Sequence, residues 1–92
     1  MKATSAGLVT PHLLRIVELA NSAQNGANVD WHVRDTVART MGELGGQANA
    51  SELVDAYVEG LETAAAQAPK ARLAFAGTLQ AAADAARRAR RD

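Results

Sequence analysis

The chain contains no cysteine, two prolines, and one residue each of tryptophan, tyrosine and phenylalanine. Without cysteine it can form neither a disulfide nor a thiolate metal site, which fits a reducing compartment. No apolar run approaches the roughly 18 residues that a membrane-spanning helix requires. These absences predict a cytoplasmic protein that does not contact a membrane.

The apolar fraction of 48 % is high but brings little bulk to a core. Of the 92 residues, 22 are alanine and 22 are larger apolar residues, and 13 of the alanines lie within residues 64–89. Alanine favours helix because it loses no rotamer entropy there. A chain of this length buries only about 60 % of its unfolded surface. We therefore expect one domain over residues 1–92 without an enclosed active site, and predict a non-enzymatic protein with no cofactor.

Apolar periodicity predicts two helices in the first half of the chain. The first is expected over residues 11–24, begun by Thr10-Pro11 and ended by Asn25-Gly26, because threonine can cap a helix and proline is tolerated at its first position. The second is expected over residues 30–44, with Asp30 as its cap. Its buried face is predicted to contain Val33, Val37, Met41 and Leu44.

Two further helices are predicted in the second half. The third begins at Asn49, which forms a capping box with Glu52, and the fourth runs from near Pro69 to Arg91. Pro69 either separates these two helices or kinks one continuous helix. Their inner faces are predicted to contain Leu53, Tyr57, Leu61 and Ala64 in the third, and Phe75, Leu79, Ala82 and Ala86 in the fourth.

The predicted fold is an all-α compact bundle of three or four antiparallel helices, because the connections are short and no strand pattern is present. Residues 1–9 and 88–92 are expected to fray. The first helix is apolar over more than half of its circumference, so it requires neighbours on two sides. A homodimer through the helix at 11–24 is one way to provide them.

The zero net charge hides a strong separation of charge along the chain. Residues 47–67 contain four carboxylates and no base, whereas residues 68–92 contain six bases and two acids. The four carboxylates share a narrow arc of the third helix, which is either a solvated face or a docking surface for a protein partner. They are Glu52, Asp55, Glu59 and Glu62.

The bases of the last helix have three interpretations. They can stabilise the negative end of the helix or fray in water, they can pair with the acidic helix, or they can contact a phosphate backbone. In an antiparallel arrangement we expect Arg87 near Glu52 and Asp55. The candidate nucleic-acid-binding residues are Lys70, Arg72, Arg87, Arg88, Arg90 and Arg91.

The segment Leu44-Gly-Gly-Gln-Ala-Asn-Ala-Ser-Glu-Leu53, with the helix before it, resembles the opening of many winged-helix regulators. The resemblance covers residues 31–58 and implies a recognition helix followed by a β-hairpin wing. The acidic, alanine-rich continuation departs from that pattern. A DNA-binding regulator is accordingly the alternative to a protein-binding module.

Trp31 is the remaining candidate binding residue, because it lies off the predicted buried face of its helix. It either folds over the end of the bundle or stands exposed as an anchor for a partner. His12 and His32 are the only histidines, and no metal-binding or nucleophile motif accompanies them. We therefore expect a small bacterial or phage regulatory protein, such as an inhibitor, adaptor or assembly factor, that binds another protein.

Overall fold

The computed structural model describes residues 5–91 of the chain, with side chains through residue 90. Its elements are four α-helices, and no strand occurs within that range. The all-α class and the helix count are therefore confirmed, whereas the wing implied by the winged-helix resemblance is absent from the described residues. The helices are α1 (Ser5–Gln24), α2 (Asp30–Gly45), α3 (Ala50–Gln67) and α4 (Leu73–Arg91).

Successive helices of the bundle run in opposite directions. Ser5 reaches Glu52 and Leu13 lies against Gly60, so α1 and α3 run parallel. The start of α2 lies beside the first half of α4, and its end lies beside Ala89, so these two helices also run parallel. The predicted antiparallel bundle is confirmed.

The predicted start of α1 is wrong. The helix already includes residues 5–10, and Pro11 lies inside it. Thr10 does not cap, because its hydroxyl donates to the Ala6 carbonyl one turn back at 2.9 Å. Val9 is 1 % exposed. Burial of this turn stabilises the helix before Pro11, where the proline by itself predicts none. Residues 1–4 and 92, which we expected to fray, lie outside the described residues.

The end of α1 is confirmed at Asn25-Gly26. Gly26 has φ +100°, and its N–H donates to the Ala23 carbonyl while the Ala27 N–H donates to the Ser22 carbonyl. This pair of bonds is a Schellman motif, which requires a left-handed residue that glycine adopts without steric cost.

The predicted side-chain caps of α2 and α3 do not form. Val29 occupies the cap position of α2, and Asn28 Oδ1 accepts the Asp30 N–H at 3.3 Å. Asn49 is at the cap position of α3 but makes no side-chain bond to the helix. Glu52 does not complete a capping box, and its Oε2 instead accepts a long bond from the Ser5 hydroxyl of α1 at 3.4 Å.

Pro69 separates α3 from α4. Ala68 before it is extended, with φ −64° and ψ 136°, which is the conformation that a following proline favours. A turn then closes through a bond from the Arg72 N–H to the Pro69 carbonyl at 3.0 Å. Helix α4 thus begins at Leu73, four residues after Pro69.

The core is one cluster to which all four helices contribute. Most predicted inward positions are buried, but Met41, Ala64 and Phe75 are only partly buried. Thr40 is buried beside the predicted stripe of α2. The buried apolar residues are Val9, Ile16, Ala20, Val29, Val33, Val37, Leu44, Leu53, Tyr57, Val58, Leu61, Leu79, Ala82, Ala83 and Ala86.

Gly60 allows α1 and α3 to approach closely. A Cβ atom at this position would lie 2.6 Å from Leu13 Cδ1 and 3.0 Å from Leu13 Cδ2. Carbon atoms in van der Waals contact are about 3.5 to 4.0 Å apart, so a side chain here would displace the leucine. The absence of a side chain at Gly60 therefore leaves room for Leu13 between these two parallel helices.

Candidate binding surfaces

The acidic stripe of α3 lies on the surface and is largely satisfied within the chain. Asp55 lies 3.4 Å from Arg90 Nη1, Glu62 lies 3.0 Å from Arg87 Nη1, and Glu52 accepts the bond from Ser5. Among the described residues, Glu59 alone of the four has no such partner. Three of the candidate partner-binding carboxylates therefore have side-chain partners on other helices.

The pairing of the acidic and basic helices is as predicted, but its register differs. We expected Arg87 beside Glu52 and Asp55, and it lies against Glu62 instead. The reason is directional, because side chains on a helix point back towards its N-terminus. The long guanidinium of α4 therefore reaches the carboxyl-terminal half of α3, and it is Arg90, one turn later, that reaches Asp55.

Arg87 also bridges to Asp84 on its own helix. That contact lowers the pKa of the Asp84 carboxyl, helped by a bond from Gln80, and raises the pKa of Arg87. Arg72 donates to Asn21 Oδ1 at 2.9 Å and stacks on the Phe75 ring at 4.3 Å. Each of these bases is thus held by neighbours in the same chain.

Of the remaining candidate nucleic-acid-binding residues, Lys70 and Arg88 are exposed and have no ion-pair partner among the described residues. The Arg91 side chain lies outside them. The described bases therefore do not form a free continuous row along α4.

Trp31 stands exposed, the second of the two predicted alternatives. It is 65 % exposed, and its ring makes an edge contact with His32, with ring centres 5.5 Å apart. It lies in the first turn of α2, directly after Asp30. The largest aromatic side chain of the protein is accordingly presented to solvent rather than covering a loop.

A groove with a volume of about 640 Å³ lies next to this tryptophan, between α4 and the start of α2. Its walls are mostly small and apolar, and four charged side chains also line it. On α2 these are Asp30 and Arg34, and on α4 they are Asp84 and Arg88. The α4 wall extends over residues 74–88, a length of about 21 Å. The small residues of the walls are Ala23, Ala27, Ala74, Gly77, Ala81 and Ala85.

The sequence prediction missed this groove, although its signal was present. Gly77, Ala81 and Ala85 recur every four residues, a spacing that places them on one face of a helix. We interpreted the alanine enrichment only as helix propensity. Small residues contribute little to a hydrophobic pattern, so the outward face they form was not recognised as a surface feature.

Tyr57 is the one buried side chain with an unsatisfied polar atom among the described residues. Its ring is 0 % exposed, and its hydroxyl has no partner in hydrogen-bonding geometry. Burial raises the pKa of the Tyr57 phenol, and the nearby Thr40 hydroxyl and Arg15 charge offset this only in part. The ring fills the core against α1, where His12 lies edge-on at 6.4 Å.

Within residues 5–91 no group of three or more histidine, aspartate or glutamate side chains is placed to hold a metal ion. None of the four helices, taken over the same residues, is long and apolar enough to cross a membrane. The exposed tryptophan and the adjoining groove are two surface features for which a function is sought, beside the exposed Leu8, Leu14 and Leu73.

Comparison of the chain with protein-family models, with curated proteins and with solved structures found no match.

Proposed function

We propose that this chain is a non-enzymatic binding module that acts by holding another protein against Trp31. The observation that carries the proposal is the 65 % exposure of this side chain in the first turn of α2. Tryptophan is strongly enriched among the residues that dominate interface energy, because it contributes a large apolar area and few rotatable bonds. A small bacterial or phage inhibitor, adaptor or assembly factor of the cytoplasm would have this form.

The acidic stripe has a secondary role in this proposal. Asp55 and Glu62 are paired with arginines of α4 and offer little uncompensated charge to a partner, whereas Glu52 is bonded only to a neutral hydroxyl and keeps its charge. Glu59 remains available, and its charge would speed association with a basic protein more than it would tighten the complex. The alternative DNA-binding function draws less support, because Arg72, Arg87 and Arg90 are engaged within the chain.

The test is quantitative capture of partners from the native host, followed by titration of the purified partner. Trp31→Ala is expected to weaken binding at least thirtyfold, since a hot-spot tryptophan contributes about 2 kcal/mol or more. Leu14→Ala is the matched control, because Leu14 is 56 % exposed on a different helix. Both variants should keep the wild-type helical circular dichroism, because neither side chain is buried.

Glu59→Lys is expected to slow association and to reduce its dependence on salt, whereas Glu18→Lys on α1 should change neither. Equal partner recovery by Trp31→Ala and the wild type would contradict the proposal. So would binding to duplex DNA at low salt that disappears when Arg87, Arg88 and Arg90 are replaced by alanine, because that result would favour the alternative.

A further inference from the structure

Asn25 and Gly26, at the end of α1, are the neighbouring residues of this chain best suited to an intramolecular reaction. The chain has four asparagines, and Asn25 is the one that a glycine follows. The other three precede serine, valine or alanine, whose side chains hinder the next backbone nitrogen. Asn25 is exposed, and a Cβ atom added at Gly26 would meet nothing within 4 Å, so water and base reach this turn.

We propose that Asn25 is a site of spontaneous deamidation and that the turn at the end of α1 controls its rate. In this reaction the Gly26 backbone nitrogen loses its proton and attacks Cγ of the Asn25 side chain. A nitrogen–carbon bond forms, the side-chain amide leaves as ammonia with that proton, and a succinimide ring remains. Water then opens either ring carbonyl, which leaves aspartate or isoaspartate at position 25. The reaction consumes water and requires no cofactor.

The Schellman motif at the end of α1 holds the attacking nitrogen. The Gly26 N–H donates to the Ala23 carbonyl at 3.0 Å. While this bond is intact, the N–H does not lose its proton to base in the solvent. Attack on Asn25 therefore requires the turn to open, as helix ends do in local fluctuations. The same opening exposes the Gly26 N–H to hydrogen exchange, so both rates depend on one equilibrium.

Contacts with α4 stabilise the closed turn. Gln24 Oε1 accepts the Phe75 N–H at 3.1 Å, and Asn21 Oδ1 accepts a bond from Arg72 at 2.9 Å. Both contacts join the last turn of α1 to the beginning of α4. Gln24 directly precedes Asn25, so loss of its bond to Phe75 frees the residue next to the reacting one. The docking of α4 on α1 therefore limits how often the turn opens.

Both products destabilise the turn in which they form. Each places a carboxylate at position 25, where the carbonyl groups at the C-terminal end of α1 already create a negative potential. Isoaspartate also lengthens the backbone, because the chain then passes through the former side chain. The bond from the Ala27 N–H to the Ser22 carbonyl spans this point, so the longer backbone disrupts it. Deamidation therefore opens the end of α1 irreversibly and weakens its contacts with α4.

Peptide mapping by mass spectrometry of the full folded chain, incubated at mildly alkaline pH, tests the site. Conversion of amide to acid is expected at Asn25 at least about tenfold faster than at Asn28 or Asn49, because glycine has no Cβ atom to hinder its nitrogen. Gly26→Ala should slow the reaction even in urea, where no turn remains. Gly45→Ala, at the end of α2, is the matched control and should leave the rate at Asn25 unchanged.

A comparison of two rates tests the control by the turn. Hydrogen exchange of the Gly26 N–H is expected to be at least about tenfold slower in the folded chain than in the urea-unfolded chain. Deamidation of Asn25 should be slowed by the same factor. Gln24→Ala should raise both rates together by about fivefold, the effect of losing one hydrogen bond. Gln67→Ala, at the end of α3, should change neither, and circular dichroism checks that both variants fold.

Equal deamidation at Asn25 and Asn28, or an unchanged rate in unfolded Gly26→Ala, would overturn the assignment of the site. A deamidation rate that does not follow exchange of the Gly26 N–H would overturn its control by the turn. The purified deamidated chain should also exchange the Phe75 N–H faster, and unchanged exchange there would contradict the weakened contact with α4. These measurements involve no partner, so their outcome is independent of the function proposed for Trp31.

Discussion

Replacing Gly60 by alanine tests the contact that sets the distance between α1 and α3. In an exposed helix interior this change is favourable by about 0.8 to 1.0 kcal/mol, because glycine loses more backbone entropy than alanine. Here the new methyl group would lie 2.6 Å from Leu13 Cδ1, about 1 Å inside normal contact. Leu13 must move, and because the obstructing atoms are the end of a flexible, partly exposed side chain, the cost lies near the lower end of that for overpacking, about 1 kcal/mol.

The two effects nearly cancel, so Gly60→Ala should change the free energy of unfolding by less than about 0.5 kcal/mol. Gly42→Ala is the matched control, because Gly42 also lies inside a helix but has nothing within 4 Å of an added Cβ. It should gain about 1 kcal/mol. In a Leu13→Ala background the obstruction is gone, and Gly60→Ala should then be as favourable as the control.

Urea unfolding followed by circular dichroism measures all of these free energies in one double-mutant cycle. We expect a coupling free energy of about 1 kcal/mol between positions 13 and 60, corresponding to several degrees in the melting temperature. If Gly60→Ala stabilises the wild-type chain as much as Gly42→Ala does, then α1 and α3 do not pack in this register.

Three other predictions follow from the described contacts. Tyr57→Phe removes a buried hydroxyl without a partner. The free energy of unfolding in urea should therefore be unchanged or raised by about 1 kcal/mol, and a clear loss would mean that the hydroxyl is bonded. Because burial raises the pKa of this phenol, ionisation is disfavoured in the folded state, so the stability should fall as the pH rises above about 10, where the unfolded phenol ionises. An alkaline stability profile of Tyr57→Phe should lack that part of the decline. Gly26→Ala should lose about 1 kcal/mol in the same urea assay, because φ +100° is strained for a residue with a side chain, and a gain would contradict the Schellman motif. A double-mutant cycle on Asp55 and Arg90 should give a coupling below about 0.5 kcal/mol, because both side chains are substantially exposed, and a larger value would show that this pair orders α4.

The sequence predicted the fold class well because helix formation depends on local residue pattern. The apolar spacing of Val33, Val37 and Leu44 identified a face that is buried. The predicted start of α1 was wrong for the opposite reason. The proline signal depends on neighbouring residues alone, whereas the burial of Val9 depends on contacts with residues distant in the sequence. The expected capping box did not form either, and the Glu52 carboxylate instead accepts a bond from Ser5, 47 residues away.

The candidate surfaces depended more on tertiary structure. The sequence identified Trp31 but left its exposure open, because the helical wheel does not show what lies beyond the end of a helix. It identified both charged helices but not which carboxylate each arginine would reach. The groove was not predicted at all, since its two walls come from residues about 45 positions apart.

The sequence alone determined that this protein is a helical bundle, because alanine content, apolar period and glycine positions act through the backbone within a few residues. It also determined that the last two helices carry opposite charge. Only the tertiary structure decided which of those charges remain free and which small residues face outward. Both outcomes depend on how far each helix slides along its neighbours, and that distance is set by packing contacts such as Leu13 on Gly60.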